Sequence, residues 1–434
     1  MLHGPRVSQP RYDRVKHSMR VPLLLLATAA PLFAACTRQR ASPPPIARPD
    51  ASRSPPPPRC LAEPPGGRTL GTTSGIPSLS AHASDALVVT NGLWVSPLLD
   101  EPGPRGRAFA FRSLLTGDAA APLEALDATA DVWAAPVALA DGLATLTLRS
   151  AGPARSLYAL TAAGGRTLRT LPVDAALGFL VASAREDVAL GVSLEAAGAG
   201  GALWLRTVAL SERAAATHRV ARTTLPPAEL AAPGALAVAL NDAGGAVVFR
   251  AADTLRAVRI DRSGAALGEP QTVATGALGA VTAAYRGEAL VVVWAQRDGA
   301  TAAAPSSLRW SAWDPSREAP PRPERVATGG SASLPSLAAY NGRVALAWTE
   351  GDAGAERVRL GVSDELGRWG DAPVTLSDAG ASAQAPAVAM TAEAVRVVWA
   401  EQRVGGSSLH AATVRCAPRL TSRGRSGGSG VAER

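Results

Sequence analysis

Along the chain, apolar and polar residues alternate with a period of two rather than 3.6, in short runs broken every few residues by Gly or Pro. Seven segments share one plan: a Pro or Gly, a short strand of small residues, a tight turn, then a strand of alternating β-branched residues often ending in Trp. They read IPSLSAHASDALVVT (76–90), APVALADGLATLTL (135–148), LGFLVASAREDVALGVSL (177–194), PGALAVALNDAGGAVVF (233–249), GAVTAAYRGEALVVVW (279–294), LPSLAAYNGRVALAW (334–348) and APAVAMTAEAVRVVW (385–399). Their spacing of roughly fifty residues is in the range of propeller blades.

Each segment predicts a hairpin. Asn341-Gly342 and Asp141-Gly142 are pairs that accept positive φ in two-residue turns, and Arg286-Gly287 stands at the matching place. A third and a fourth strand follow in stretches such as SLYALTAAGGRTLRTLPV, TLRAVRIDRSGAALGEPQTVA and RVRLGVSDELGRWGDAPVTL. Four antiparallel strands per unit make one blade, so the expected fold is an all-β, seven-bladed β-propeller, with six or eight as the neighbouring counts. The Ala-rich piece LSERAAATHRVA favours a helical solenoid, but the period-two alternation and frequent Gly and Pro oppose it. Trp294, Trp348 and Trp399 occupy equivalent places on second strands and are expected to pack between blades. The turns after them carry Gln296, Asp298, Glu350 and Glu401, read here as solvated loop charges.

The seventh unit runs out after SLHAATV (408–414), one strand short, whereas RTLGTT (68–73) precedes the first unit unused. This N-terminal strand is expected to complete the last blade and hide two open edges. Cys60 and Cys416 then fall in the same turn between third and fourth strands, and a disulfide there would hold the ring shut.

Composition and charge place the body. The net charge is +8. Residues 1–59 carry +8 and residues 417–434 carry +3, which leaves −3 for residues 60–416. A mildly acidic body with basic ends excludes a nucleic-acid groove as the source of the basicity. Residues 1–35 read as an export signal: positive residues through Arg20, then VPLLLLATAAPLFAA. Met19-Arg20 offers a more compact start. Phe33-Ala34-Ala35-Cys36 resembles a bacterial lipobox, with Phe33 in place of the usual Leu, which implies lipidation at Cys36. An ordinary secretory signal cut at an Ala-x-Ala-like site is the alternative. Thr37, not being Asp, implies the outer membrane by the sorting rule of that family, with the periplasmic or surface side open. Residues 36–59 compose a Pro-rich extended linker and residues 417–434 a basic tail poor in apolar residues. With Cys36 lipidated, Cys60 and Cys416 remain as an even pair in an oxidising compartment.

Taken whole, residues 60–416 resemble the propeller lipoproteins of GC-rich Gram-negative bacteria and, more distantly, sialidase-type propellers with Asp-box repeats. Ser363-Asp364-Glu365-Leu366-Gly367-Arg368-Trp369 is the nearest match to such a box, with Glu365 for Asp and one residue missing before Trp369. Asp261-Arg262-Ser263-Gly264 matches less and reads as a glycine-assisted turn. The resemblance implies a Tyr nucleophile, an acidic partner and an arginine cluster in an active sialidase, and no such set stands out here. Tyr285 and Tyr340, at the first turns of adjacent units, with His82 at the corresponding place of the first unit, are the candidate binding rim. His82, His218 and His410 lack metal-ligand spacing, no phosphate-binding loop precedes a helix, and no Gly-x-Ser-x-Gly elbow occurs. The expectation is therefore a non-catalytic binding or scaffold module with no cofactor and no metal. Its partners would be the membrane, through the lipid, and a protein or glycan of the envelope, with no oligomeric state indicated. A diverged sialidase-like glycan hydrolase or carbohydrate-binding protein is the alternative.

Overall fold

The structure is a computed structural model. It describes residues 59–73, 78–81, 86–91, 109–114, 124–127, 132–152, 154–162, 165–196, 203–225, 234–299, 301, 304–326, 328–363, 369, 373–391, 394–403 and 406–417. The signal segment, most of the linker, the tail from 418 onward, Cys36 and His82 lie outside the described residues.

All the described elements are strands, and they pair into seven four-stranded antiparallel sheets. The first strand, β1 (Arg59–Thr73), stands apart from its neighbours in sequence. Sheet 1 is β2 (Ser78–Ala81), β3 (Ala86–Asn91), β4 (Phe109–Leu114) and β5 (Glu124–Asp127). Sheet 2 is β6 (Val132–Leu139), β7 (Gly142–Gly152), β8 (Arg155–Ala162) and β9 (Thr167–Val173). Sheet 3 is β10 (Leu177–Arg185), β11 (Val188–Ala196), β12 (Leu203–Leu210) and β13 (Ala215–Thr223). Sheet 4 is β14 (Leu236–Asn241), β15 (Gly244–Ala251), β16 (Thr254–Ile260) and β17 (Gln271–Thr275). Sheet 5 is β18 (Leu278–Arg286), β19 (Ala289–Arg297), β20 (Ser306–Trp313) and β21 (Glu324–Arg325). Sheet 6 is β22 (Ala332–Tyr340), β23 (Arg343–Glu350), β24 (Arg357–Val362) and β25 (Val374–Thr375). Sheet 7 is β26 (Ser382–Met390), β27 (Val395–Arg403) and β28 (Gly406–Ala417), with β1 as its fourth strand. Successive up-and-down sheets of four strands are the arrangement of a β-propeller.

Each of the seven sequence segments became the first two strands of one sheet. The Ala-rich piece after Leu210 is not helical: Ser211 caps a turn by accepting from the Ala214 N–H at 3.0 Å, and β13 follows. Of the turn pairs, only Asn341-Gly342 sits at the centre of its hairpin, with φ of 46° and 76°. The other two are displaced by one residue, because Leu139 pairs with Gly142 and Arg286 with Ala289.

Among the described residues the core is divided into several clusters. In sheets 2 to 7 apolar residues lie on both faces, so they cluster in seams between neighbours: sheets 2 and 3, 3 and 4, 4 and 5, 5 and 6, and 6 and 7. Trp294, Trp348 and Trp399 lie in the last three seams, fully buried, each facing the preceding sheet. The first strands of sheets 3, 6 and 7 carry a bulge at one shared position, after Gly178, Ser333 and Gln384, and sheet 5 has one displaced by a residue, after Leu278. Beyond it, backbone N–H groups reach back to the preceding sheet: Leu337 donates to Thr282 Oγ1 at 3.2 Å and Val388 to Ser336 Oγ at 3.1 Å. Polar stitches of this kind fix the spacing that dispersion alone would leave loose.

The N-terminal strand pairs with β28 as the sequence predicts, but it is longer than residues 68–73 and begins at Arg59. Cys60 and Cys416 are bonded and stand directly opposite each other in the ladder, with Cα atoms 4.0 Å apart. The expectation that both lie in a turn is therefore corrected. Pairing continues past the predicted strand ends because Pro64-Pro65-Gly66-Gly67 loops out between Glu63 and Arg68 and lets the ladder resume.

Candidate functional site

One polar arrangement recurs across sheets 3, 5, 6 and 7. Near the end of each second strand stands Ser193, Trp294, Trp348 or Trp399, and directly opposite on the third strand stands Arg206, Arg309, Arg359 or His410. Two residues farther on comes Glu195, Gln296, Glu350 or Glu401. Spacing of two keeps indole and carboxylate on one face, and cross-strand pairing adds the cation to it.

In sheet 6 the Trp348 indole donates to Glu350 Oε2 at 3.0 Å, and Arg359 Nε lies 3.3 Å from Oε1. Sheet 7 repeats this: Trp399 donates to Glu401 Oε1 at 3.0 Å and Arg403 to Oε2 at 3.0 Å. His410 stacks on Trp399 with ring centroids 5.9 Å apart. In sheet 5 Gln296 accepts from the Trp294 indole at 3.3 Å, and Asp298 takes over the cations, 3.3 Å from Arg309 and 3.2 Å from Arg325. The Ser307 hydroxyl, with these two arginines, holds the Asp298 carboxyl below the usual carboxylate range against a burial effect of opposite sign.

The reading of these acids as solvated loop charges does not survive for Glu350 and Glu401, which are 9% and 0% exposed. Their side chains turn back along the strand towards the indole. A buried carboxylate is tolerable only when donors match it, and the indole N–H supplies one in each case, joined by the Gly329 N–H for Glu350 and by Arg403 for Glu401. The sequence signal was present as WAQ, WTE and WAE; what it lacked was the third strand, whose Arg309, Arg359 or His410 packs beside the indole.

Sheet 3 departs from the pattern. Ser193 stands in the indole's place, and Glu195 is held by two guanidinium groups, Arg206 Nε at 2.7 Å from Oε2 and Arg219 at 3.1 Å from Oε2 and 2.5 Å from Oε1. Burial pushes the Glu195 carboxyl up, and the Arg219 and Arg206 hydrogen bonds outweigh it, so its pKa is lowered. The phenol of Tyr158 reaches across from sheet 2 towards Ser193, fully buried, and burial pushes its pKa up.

Ser408, His410 and Glu401 have the residue types of a nucleophile relay. The Ser408 hydroxyl lies 2.9 Å and Glu401 Oε2 3.5 Å from the same imidazole nitrogen, Nε2, whereas Nδ1 is buried without a hydrogen-bond partner. A relay needs the acid on one nitrogen and the nucleophile on the other. This set orients a ring under Trp399 instead.

The candidate rim is divided. Tyr285 pairs with Leu290, one step before its hairpin closes, and Tyr340 pairs with Arg343 at the closing position. One step along a strand reverses the face. Tyr285 accordingly packs into the seam with sheet 4, where burial pushes its phenol up to about 12, while Tyr340 is exposed. Among the described residues, no three His, Cys, Asp or Glu side chains come together as metal ligands. Asp261 accepts from the N–H groups of Ser263 and Ala265 at 2.8 and 3.0 Å, a turn that presents the Gly264 carbonyl to Thr207 Oγ1 of sheet 3 at 2.7 Å.

No protein-family model matches the chain, and no curated protein matches it. Among solved structures the chain is similar to the phage phi92 endosialidase, at 9% identity and a TM-score of 0.45 over 85% of this chain and 72% of that one. It is also similar to the β-propeller domain of the Trilobed protease from Pyrococcus furiosus, at 11% identity and a TM-score of 0.44 over 79% and 94%. A third is the Dos1 propeller, at 9% identity and a TM-score of 0.42 over 83% and 95%.

Proposed function

We propose that this chain is a lipid-anchored protein of the bacterial envelope, held to the outer membrane through Cys36. In this reading its body is a seven-bladed ring that works as a non-catalytic binding or scaffold module for an envelope protein or glycan. The carrying observation is the use made of the buried carboxylates. Glu195, Glu350 and Glu401 are each matched by donors within their own sheet, so the charges at the ends of these strands serve rigidity. A stiff frame suits recognition at the turns that join its strands.

Capture from detergent-solubilised envelope, with the wild-type chain as bait, tests the module. A reproducible partner is expected, and hydrolysis of sialosides or other glycosides by the same preparation would overturn the non-catalytic reading. Palmitate labelling tests the anchor: the wild type should label and Cys36→Ala should not, and equal labelling of both would remove it.

A further inference from the structure

The geometry points to an oxyanion-binding site on sheet 3, at the rim of its seam with sheet 2. Ser193, Glu195, Trp204, Arg206, Arg219 and Arg222 share one face of this sheet, since Glu195 pairs with Trp204, Trp204 with Arg222, Ser193 with Arg206 and Arg206 with Arg219. In sheets 6 and 7 the indole N–H satisfies one oxygen of the buried glutamate. Ser193 cannot reach in this way, and Glu195 instead recruits Arg219 from the outer strand. That drafts a second guanidinium to the rim.

Arg222 adds a third. Its guanidinium lies 4.2 Å from the centroid of the half-buried Trp204 ring, and that of Arg219 lies 5.7 Å from it. Arg222 is exposed and makes no ion pair among the described residues, so three guanidinium groups face one carboxylate. Stacking on an indole pre-orders a planar guanidinium without using its N–H donors, which leaves them for bidentate pairing with an oxyanion. Farther in, the Tyr158 and Ser193 hydroxyls are fully buried, side by side and without hydrogen-bond partners of ordinary geometry, a polar floor where sheets 5 to 7 place an indole. The ligand is a phosphate or carboxylate group of an anionic molecule, gripped by Arg222 over Trp204, with the Glu195-bound Arg219 adding positive charge beside it.

This rests on the binding-module reading for its biological sense, but its test is separate. Binding of tripolyphosphate, of polygalacturonate and of neutral pullulan would be measured for the wild type, Arg222→Gln, Trp204→Leu and Arg317→Gln. Arg317 is an exposed arginine in the turn after β20, paired with Asp314. The wild type should bind at least one polyanion and not pullulan, and the one it prefers distinguishes phosphate from carboxylate. Arg222→Gln and Trp204→Leu should weaken binding by about tenfold with unchanged melting, whereas Arg317→Gln should not. Absence of binding to both polyanions, or equal loss in Arg317→Gln, would overturn the site. Turnover of polygalacturonate would overturn the module reading and leave the site standing, while polyanion binding insensitive to Arg222→Gln would overturn the site and leave the module reading standing.

Discussion

Gly67 of the N-terminal strand lies against the indole of Trp399: a β-carbon built on this glycine would stand 2.3 Å from the ring. The contact links the closing strand, through one side chain, to the second strand of the same sheet, and passes beside His410 on the third. Its φ of 76° also lies where only glycine is at ease. Gly67→Ala should therefore cost about 2–3 kcal/mol, from overpacking and backbone strain together. Gly354→Ala, with φ of 85° but open space around it, should cost only about 1 kcal/mol. Urea unfolding of the two variants checks the difference.

The disulfide closes a loop spanning 356 residues, so its loss should act chiefly on the unfolded chain. Cys60→Ser should lower stability by about 5 kcal/mol at most, with little change in the folded structure. Non-reducing peptide mapping should recover the Cys60 and Cys416 peptides linked, and the reduced wild type should melt like the variant.

Burial lowers the pKa of His410 from its ordinary 6.5, with Glu401 opposing and Arg403 reinforcing the shift. The unfolded chain thus takes up this proton first as pH falls. Stability from this group is whole above about pH 6.5 and declines below it, with a slope of at most about 1.4 kcal/mol per pH unit. Denaturant midpoints between pH 8 and pH 5 should show the decline, and His410→Phe, which keeps a ring on Trp399, should flatten it.

The two tyrosines should part company. Tyr285→Ala opens a void in the seam between sheets 4 and 5 and should cost about 2–4 kcal/mol. Tyr340→Ala removes an exposed ring and should stay within about 0.5 kcal/mol. Thermal melts of the single variants are the measurement. Any effect on partner capture should then be sought with Tyr340 alone.

The sequence by itself determined the strands, because period-two alternation and the Gly and Pro between runs are local properties, written within ten residues of where they act. It also determined the four-strand unit and the role of Trp294, Trp348 and Trp399, since a repeated indole at one register position has to be packed somewhere. The fate of Glu350 and Glu401 was decided only by tertiary structure. A carboxylate two residues after a tryptophan looks solvated until folding turns it back on the indole and brings up a guanidinium, from the third strand for Glu350 and from the end of its own strand for Glu401. The same holds for the tyrosines, where a one-residue difference in hairpin closure, invisible in the alternation, turns one ring into a seam and the other out to water. Arg222 shows the limit most plainly: 18 positions separate it from Trp204, and only the antiparallel return of β13 along β12 lays the one upon the other.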